Sequence, residues 1–161
     1  MNLAQIVYVD MDDVLTDYTS YFRQKMLEIP TQPYPQSQYG FFADIPPVDG
    51  AIESVKALIA DEDIDPYILT APSIRNPLCY AEKRVWVEKY FGLEFTEKLI
   101  ISRNKSLLRG DVLIDDQLGG RGQELFIGQK IHFGSNEYPD WSAVMKKLNE
   151  LNKFGQVWAH V

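Results

Sequence analysis

The chain has 161 residues, 45% hydrophobic and 12% aromatic, with a formal net charge of −7 and a pI near 4.8. That length can bury a real core, and the composition fits a globular protein. The acidic balance makes polymeric nucleic acid a poor partner, because such binding rests on Lys and Arg neutralising phosphates. It leaves room for one small phosphate ester held by a few local cations. The lone cysteine, Cys79, has no internal disulfide partner, which points to a reducing cytoplasm. Residues 1–5 lack a basic region followed by a long apolar stretch, and no run is long enough to span a bilayer, so no membrane association is expected. No repeat, low-complexity tract or linker divides the sequence. Residues 1–161 therefore read as one domain.

Taken in chain order, the first element is an apolar run, Ile6, Val7, Tyr8 and Val9. β-Branched and aromatic residues without polar alternation suit a strand buried on both faces. It ends at three carboxylates, Asp10, Asp12 and Asp13, with Asp17 one turn later. A helix is expected over Thr16–Ile29, stopped by Pro30. Residues 31–44 are rich in prolines and rings (Tyr34, Tyr39, Phe41, Phe42). With the helix before them they form a small insert, about 17–45, suited to lie over a site as a cap. Asp49 is placed to cap a helix over Ala51–Ala60. Residues 61–65 read as an acidic loop.

A second buried strand, Tyr67–Leu69, ends at Thr70. A proline-bearing loop leads to a helix from about Cys79 to Phe91, with Gly92 as its stop. Leu99–Ile101 is a third strand, left by Ser102–Lys105. Val112–Ile114 is a fourth, ending at Asp115-Asp116. Gly119, Gly120 and Gly122 make the next stretch read as a mobile turn; it lacks the Gly-Lys-Ser/Thr of a phosphate-cradling loop. Lys130–Phe133 is a fifth strand, and Asp140 precedes a last helix carrying Trp141, Val144, Met145, Leu148 and Leu151 at helical spacing. Residues 153–161 read as either a strand or a loose end. Strands alternating with helices imply an α/β fold: a central parallel sheet with helices on both faces.

The strand ends carry the chemistry. A lone Asp-x-Asp after a strand is usually a solvated turn. Here Asp10/Asp12, Thr70, Lys105 and Asp115/Asp116 all fall at C-terminal strand ends, which share one edge in a parallel sheet and form the ligand crevice. Crowded carboxylates repel one another unless a cation offsets them, and Mg²⁺, which prefers oxygen ligands, suits that role. One carboxylate can attack phosphorus and a second, two residues on, can serve as acid and base. A hydroxyl from Thr70 and the Lys105 ammonium can hold the phosphoryl oxygens.

These residues, in this order, resemble the motifs of the haloacid dehalogenase (HAD) superfamily of phosphatases: Asp10-Met11-Asp12-Asp13-Val14-Leu15, Thr70, Lys105 and Asp115-Asp116. The resemblance narrows to the 5'(3')-deoxyribonucleotidases through Val9-Asp10-Met11-Asp12, Tyr80-Ala81-Glu82-Lys83-Arg84-Val85-Trp86-Val87-Glu88-Lys89-Tyr90-Phe91-Gly92, and Asp111-Val112-Leu113-Ile114-Asp115-Asp116. It implies a HAD-like three-layer fold and Mg²⁺-dependent hydrolysis of (deoxy)nucleoside monophosphates through an aspartyl-phosphate. Asp10 would be the nucleophile and Asp12 the general acid/base. Magnesium would be held by Asp10, the Asp12 carbonyl and Asp116, with Asp115 behind. Thr70, Lys105 and Lys83 would hold phosphate, and Tyr18 would lie against the nucleobase. Lys83, however, sits among Glu82, Arg84, Glu88 and Lys89, a pattern that by itself reads as a solvated face. Three features depart from the family pattern: Asp13 where a glycine is common, Ala71 where a serine is common, and a shortened cap without tryptophan. The implied partner is a small phosphate monoester, and a homodimer is allowed. A sugar phosphate or similar small ester is the alternative substrate, and a non-catalytic phosphate-sensing module the alternative role.

Overall fold

The computed structural model describes residues 4–158, with side chains described through residue 152. Five strands form one parallel sheet: β1 (Gln5–Val9), β2 (Ile64–Thr70), β3 (Leu99–Ile101), β4 (Val112–Asp115) and β5 (Gln129–His132), in the order β3-β2-β1-β4-β5. The α-helices are α1 (Tyr18–Glu28), a short α2 (Phe41–Asp44), α3 (Ala51–Ala60), α4 (Cys79–Phe91) and α5 (Trp141–Trp158). The expected α/β architecture with a central parallel sheet is present. After β1 the chain builds outward through β2 and β3, then crosses back to lay β4 on the other side of β1. That reversal opens a crevice between the ends of β1 and β4. Val9 lies level with Ile68 and Ile114, so the residues that follow, Asp10, Thr70 and Asp115, emerge at one edge.

Strand pleating splits the apolar residues between two faces. Val7, Val9, Ile68, Val112, Ile114 and Ile131 meet α3, α4 and α5 through Val55, Leu58, Trp86, Val87, Trp141 and Leu148. Tyr8, Leu69 and Leu113 face the other way, covered by Leu108 and Phe126. Those two follow short 3₁₀ helices, Lys105–Leu107 and Gln123–Leu125, so this second layer is thinner than the first. Burying an indole requires a partner for its N–H. Trp86 donates to the Ile45 carbonyl at 2.8 Å and Trp141 to the Val14 carbonyl at 2.9 Å.

Between β1 and α3 the chain makes an excursion that leaves at Thr16 and returns at Pro47. Asp17 N–H donates to the Pro46 carbonyl and Val48 N–H to the Leu15 carbonyl, at 2.8 and 2.9 Å. The excursion has its own apolar cluster: Phe41, Phe42 and Ile45 with Cys79, flanked by Tyr18, Tyr21 and Phe22.

Some boundaries differ from expectation. β2 starts at Ile64, inside the stretch read as an acidic loop, and includes Pro66. Pro66 is tolerated because β3 joins β2 only from Ile68 onward, so no neighbour on that side needs its missing N–H. The stretch from residue 153, read as strand or loose end, continues α5 through Trp158; the rest of that reading, residues 159–161, lies outside the described residues. Among the described residues, no helix is long and apolar enough to cross a membrane.

Candidate active site

The acidic turn is built by the backbone. Asp10 N–H donates to the Ile114 carbonyl at 2.9 Å, tying it to β4. Leu15 and Thr16 N–H groups then converge on the Met11 carbonyl at 2.8 and 2.9 Å, folding residues 11–16 tightly. Asp13 has φ +58°, the left-handed region that glycine adopts freely and Asp tolerates better than most residues. Its carboxylate accepts from Thr19 N–H at 2.7 Å and from the Thr19 hydroxyl. Asp13 thus satisfies a donor at the start of α1, where Asp17 supplies no side-chain cap.

Two buried lysines hold the carboxylates. Lys83 Nζ donates to Asp12 Oδ2 at 2.8 Å, Thr70 Oγ1 at 2.7 Å and the Ala71 carbonyl at 3.0 Å. It is fully buried and Glu82 nearly so, which overturns the solvated-face reading for these two, while Arg84 and Lys89 are exposed. Lys105 Nζ lies 2.9 Å from Asp10 Oδ1 and hydrogen-bonds Asp115 Oδ2. Burial works to lower the Lys105 pKa, but Asp10 and Asp115 outweigh it and the ammonium is held above its usual range. Asp10 shows the converse: burial pushes its carboxyl up, opposed by Lys105 and assisted by Asp115.

Oxygens of Asp10, Asp115 and Asp116 lie within 4.8 Å of one another. Asp115 is already engaged: besides Lys105 it accepts from Gln117 N–H at 2.9 Å and, at 3.4 Å, from the buried Gln123 amide. Among the described residues, the Asp116 carboxylate accepts from the Gln117 side chain alone, at 2.7 Å, while its carbonyl meets His132 Nε2 at 3.0 Å. Burial raises the Asp116 pKa to about 6; the Gln117 bond opposes this, and Asp10, Asp115 and Asp13 add to it. Three half-buried or buried carboxylates with the Lys105 ammonium among them form a donor set that fits a hard divalent ion. The Asp12 carboxylate is not part of this trio. Its Oδ1 is buried and has no hydrogen-bond partner among the described residues.

A cavity of about 360 Å³ opens over these groups. Asp10, Asp12 and Asp116 line it, with Tyr18, Gln36 and Phe42 from the excursion. Tyr18 and Phe42 stack at 6.2 Å between centroids and 21° between planes. Burial, then Asp12 and Asp13, push the Tyr18 phenol up to about 12, so it stays protonated. Arg75, Arg103 and Arg121 also line it. Every residue singled out from sequence (Asp10, Asp12, Tyr18, Thr70, Lys83, Lys105, Asp115 and Asp116) is therefore in or directly behind one cavity. Sequence reasoning passed over Gln123, Glu82 and the three arginines. The Gly-rich stretch read as a mobile turn is exposed at Gly119 and Gly120 and tied down at Arg121: Lys105 N–H donates to the Arg121 carbonyl at 2.7 Å, and Arg121 N–H to the Gln123 side chain at 2.8 Å.

The fold as a whole superposes on a haloacid dehalogenase-like family hydrolase from Xanthomonas campestris with a TM-score of 0.66, over 96% of this chain and 94% of that one. At 12% identity this is a likeness of fold. The parallel sheet with a crevice at its switch point is thus a HAD-like fold. The sequence carries the assignment further. Residues 31–141 match a family described as 5' nucleotidase, deoxy (pyrimidine), cytosolic type C protein. A protein of Vibrio phage KVP40, provisionally named a 5'(3')-deoxyribonucleotidase, is 39% identical over 153 residues, covering 92% of this chain and 86% of that protein. The human cytosolic-type 5'(3')-deoxyribonucleotidase is 32% identical over 168 residues, covering 86% and 78%. The chain belongs to the 5'(3')-deoxyribonucleotidase family of phosphoric monoester hydrolases.

Proposed function

We propose that this chain is a Mg²⁺-dependent phosphatase that hydrolyses deoxyribonucleoside monophosphates through an aspartyl-phosphate on Asp10. The observation that carries the reading is the placement of Asp10. It sits at the end of the central strand, with Oδ1 held by Lys105, in a cavity shared with Asp12. The other Asp10 oxygen attacks phosphorus as the ester P–O bond breaks. Asp12, as general acid, gives a proton to the departing oxygen. It then takes a proton from the water that attacks the phosphoryl group, and the bond to Asp10 breaks to regenerate the carboxylate. Lys83 on Oδ2 orients Asp12. Thr70 accepts from Lys83, so its own hydroxyl hydrogen is available to a phosphoryl oxygen.

Magnesium would be held by Asp10, Asp116 and the Asp12 carbonyl, with Asp115 behind them; once bound it would offset the crowded charge and polarise a phosphoryl oxygen. Residues 17–45 act as the cap. The stacked Tyr18 and Phe42 rings favour a leaving group with a flat apolar face, as a nucleobase has, over a sugar phosphate.

Asp10→Asn tests the assignment. It keeps the shape and removes the nucleophile, so hydrolysis of thymidine 5'-monophosphate should fall by about 10³-fold or more with an unchanged circular-dichroism spectrum. Near wild-type turnover in that variant would refute the nucleophile. A clear preference for sugar phosphates across a substrate panel would refute the substrate class.

A further inference from the structure

Helix α4 presents two adjacent buried charges, and the catalytic proposal uses only one. Lys83 reaches Asp12 and Thr70. Its neighbour Glu82 is 7% exposed and faces the excursion. Glu82 Oε1 accepts from Gly40 N–H at 2.7 Å, and Oε2 accepts from Phe42 N–H at 3.1 Å and from the Asn76 side-chain amide at 3.1 Å. Asn76 is fully buried and also donates to the Gln38 carbonyl at 3.2 Å. One turn further along α4, Trp86 holds the Ile45 carbonyl. A buried carboxylate is costly unless its oxygens are satisfied. Here the donors are backbone N–H groups at the Gly40–Phe42 turn, so the charge is stable only while that turn stays where it is. Gly40 has φ +88°, a conformation open to glycine that aims its N–H at the carboxylate. The consequence reaches the cavity through Phe42. Its N–H is fixed by Glu82, its ring lines the cavity beside Tyr18, and that ring lies 5.2 Å from Lys83 Nζ.

We propose that Glu82, with Asn76, is a positioning residue that clamps residues 38–42 to α4 and so fixes the aromatic wall against which the leaving group of the substrate lies. This rests on the phosphatase reading above. It assigns the clamp to selection among phosphate esters: an ester with a flat, bulky leaving group depends on the wall, and a small ester does not. The chemical step, served by the neighbouring Lys83, is left intact.

The test compares wild type, Glu82→Ala, Glu82→Gln and Asn76→Ala on thymidine 5'-monophosphate and on glycerol 2-phosphate. Amide hydrogen exchange at Gly40 and Phe42 is followed in parallel. Glu82→Ala should raise KM for the nucleotide about tenfold or more, leave kcat within about threefold, and change kcat/KM for glycerol 2-phosphate by less than about threefold. Glu82→Gln keeps one acceptor oxygen and should fall between; it also serves if Glu82→Ala does not fold. Exchange at both amides should accelerate in each Glu82 variant. Equal losses on both esters, or a nucleotide KM unchanged while the amides exchange faster, would overturn the clamp as a selectivity device. A wild-type protein inactive on both esters would instead overturn the phosphatase reading itself.

Discussion

Lys105 lies fully buried against two buried carboxylates, Asp10 and Asp115. Removing one partner of such a group leaves uncompensated charge in a low-dielectric site. Lys105→Met should therefore destabilise the metal-free protein by about 3–5 kcal/mol, read from urea unfolding, and a loss below about 1 kcal/mol would contradict the pairing. Asp116 has the opposite problem. Its folded pKa of about 6 exceeds the ordinary carboxylate value, so between about pH 4 and 6 the folded chain binds more protons than the unfolded one. Its ionisation costs stability as pH rises through that window, and the cost is fully present above it. In the metal-free protein, Asp116→Asn should add on the order of 1–2 kcal/mol at pH 8 and nothing at pH 4; equal effects at both would exclude this origin. The carboxylates were legible in the sequence because they sit at strand ends. The depth of Lys83 was missed because the charge pattern hid a helical spacing that marks it. Cys79, Glu82, Lys83, Trp86 and Val87 are all buried on α4, at helical spacing. Two charges fall on the stripe that the apolar residues mark as inward.

At the scale of elements, the loop after β4 and the loop after β3 brace one another. Gly122 has φ +85°, and a Cβ there would come 2.3 Å from Asn104 Oδ1 and 2.8 Å from Ser106 N. Gly122→Ala thus meets both an unfavourable backbone conformation, worth about 1–2 kcal/mol, and a clash with the backbone that carries Lys105. It should lower phosphatase kcat at least tenfold while the far-UV spectrum is retained; wild-type kcat would show that the two loops move independently. The glycines could be located from the sequence, but their reason for being there could not. The contact joins loops whose packing depends on the thin second face of the sheet. Strands and the longer helices were legible because apolar runs and helical spacing are local signals. The start of β2 was not, since a strand containing Pro66 is permitted only by where β3 happens to begin.

For the molecule as a whole, the sheet order decides what meets what. Groups from β1 and β4, far apart in sequence, share the crevice because those strands are neighbours. An ion that binds the folded arrangement alone should stabilise it by about 2.7 kcal/mol at a hundred times its dissociation constant. Mg²⁺ should accordingly raise the thermal midpoint and EDTA reverse the rise, with Asp116→Asn blunting both; a midpoint indifferent to Mg²⁺ would remove the metal from the proposal. The order of the strands has a further effect, on how the chain comes off the ribosome. The central strand is made before either flank. Its partner on one side, β4, begins at Val112, roughly a hundred residues after Val9, or about 5–20 s of synthesis. Throughout that interval a sticky Ile-Val-Tyr-Val ribbon has an unclaimed edge, and the nascent polypeptide is most prone to aggregate before the segment that silences it has emerged.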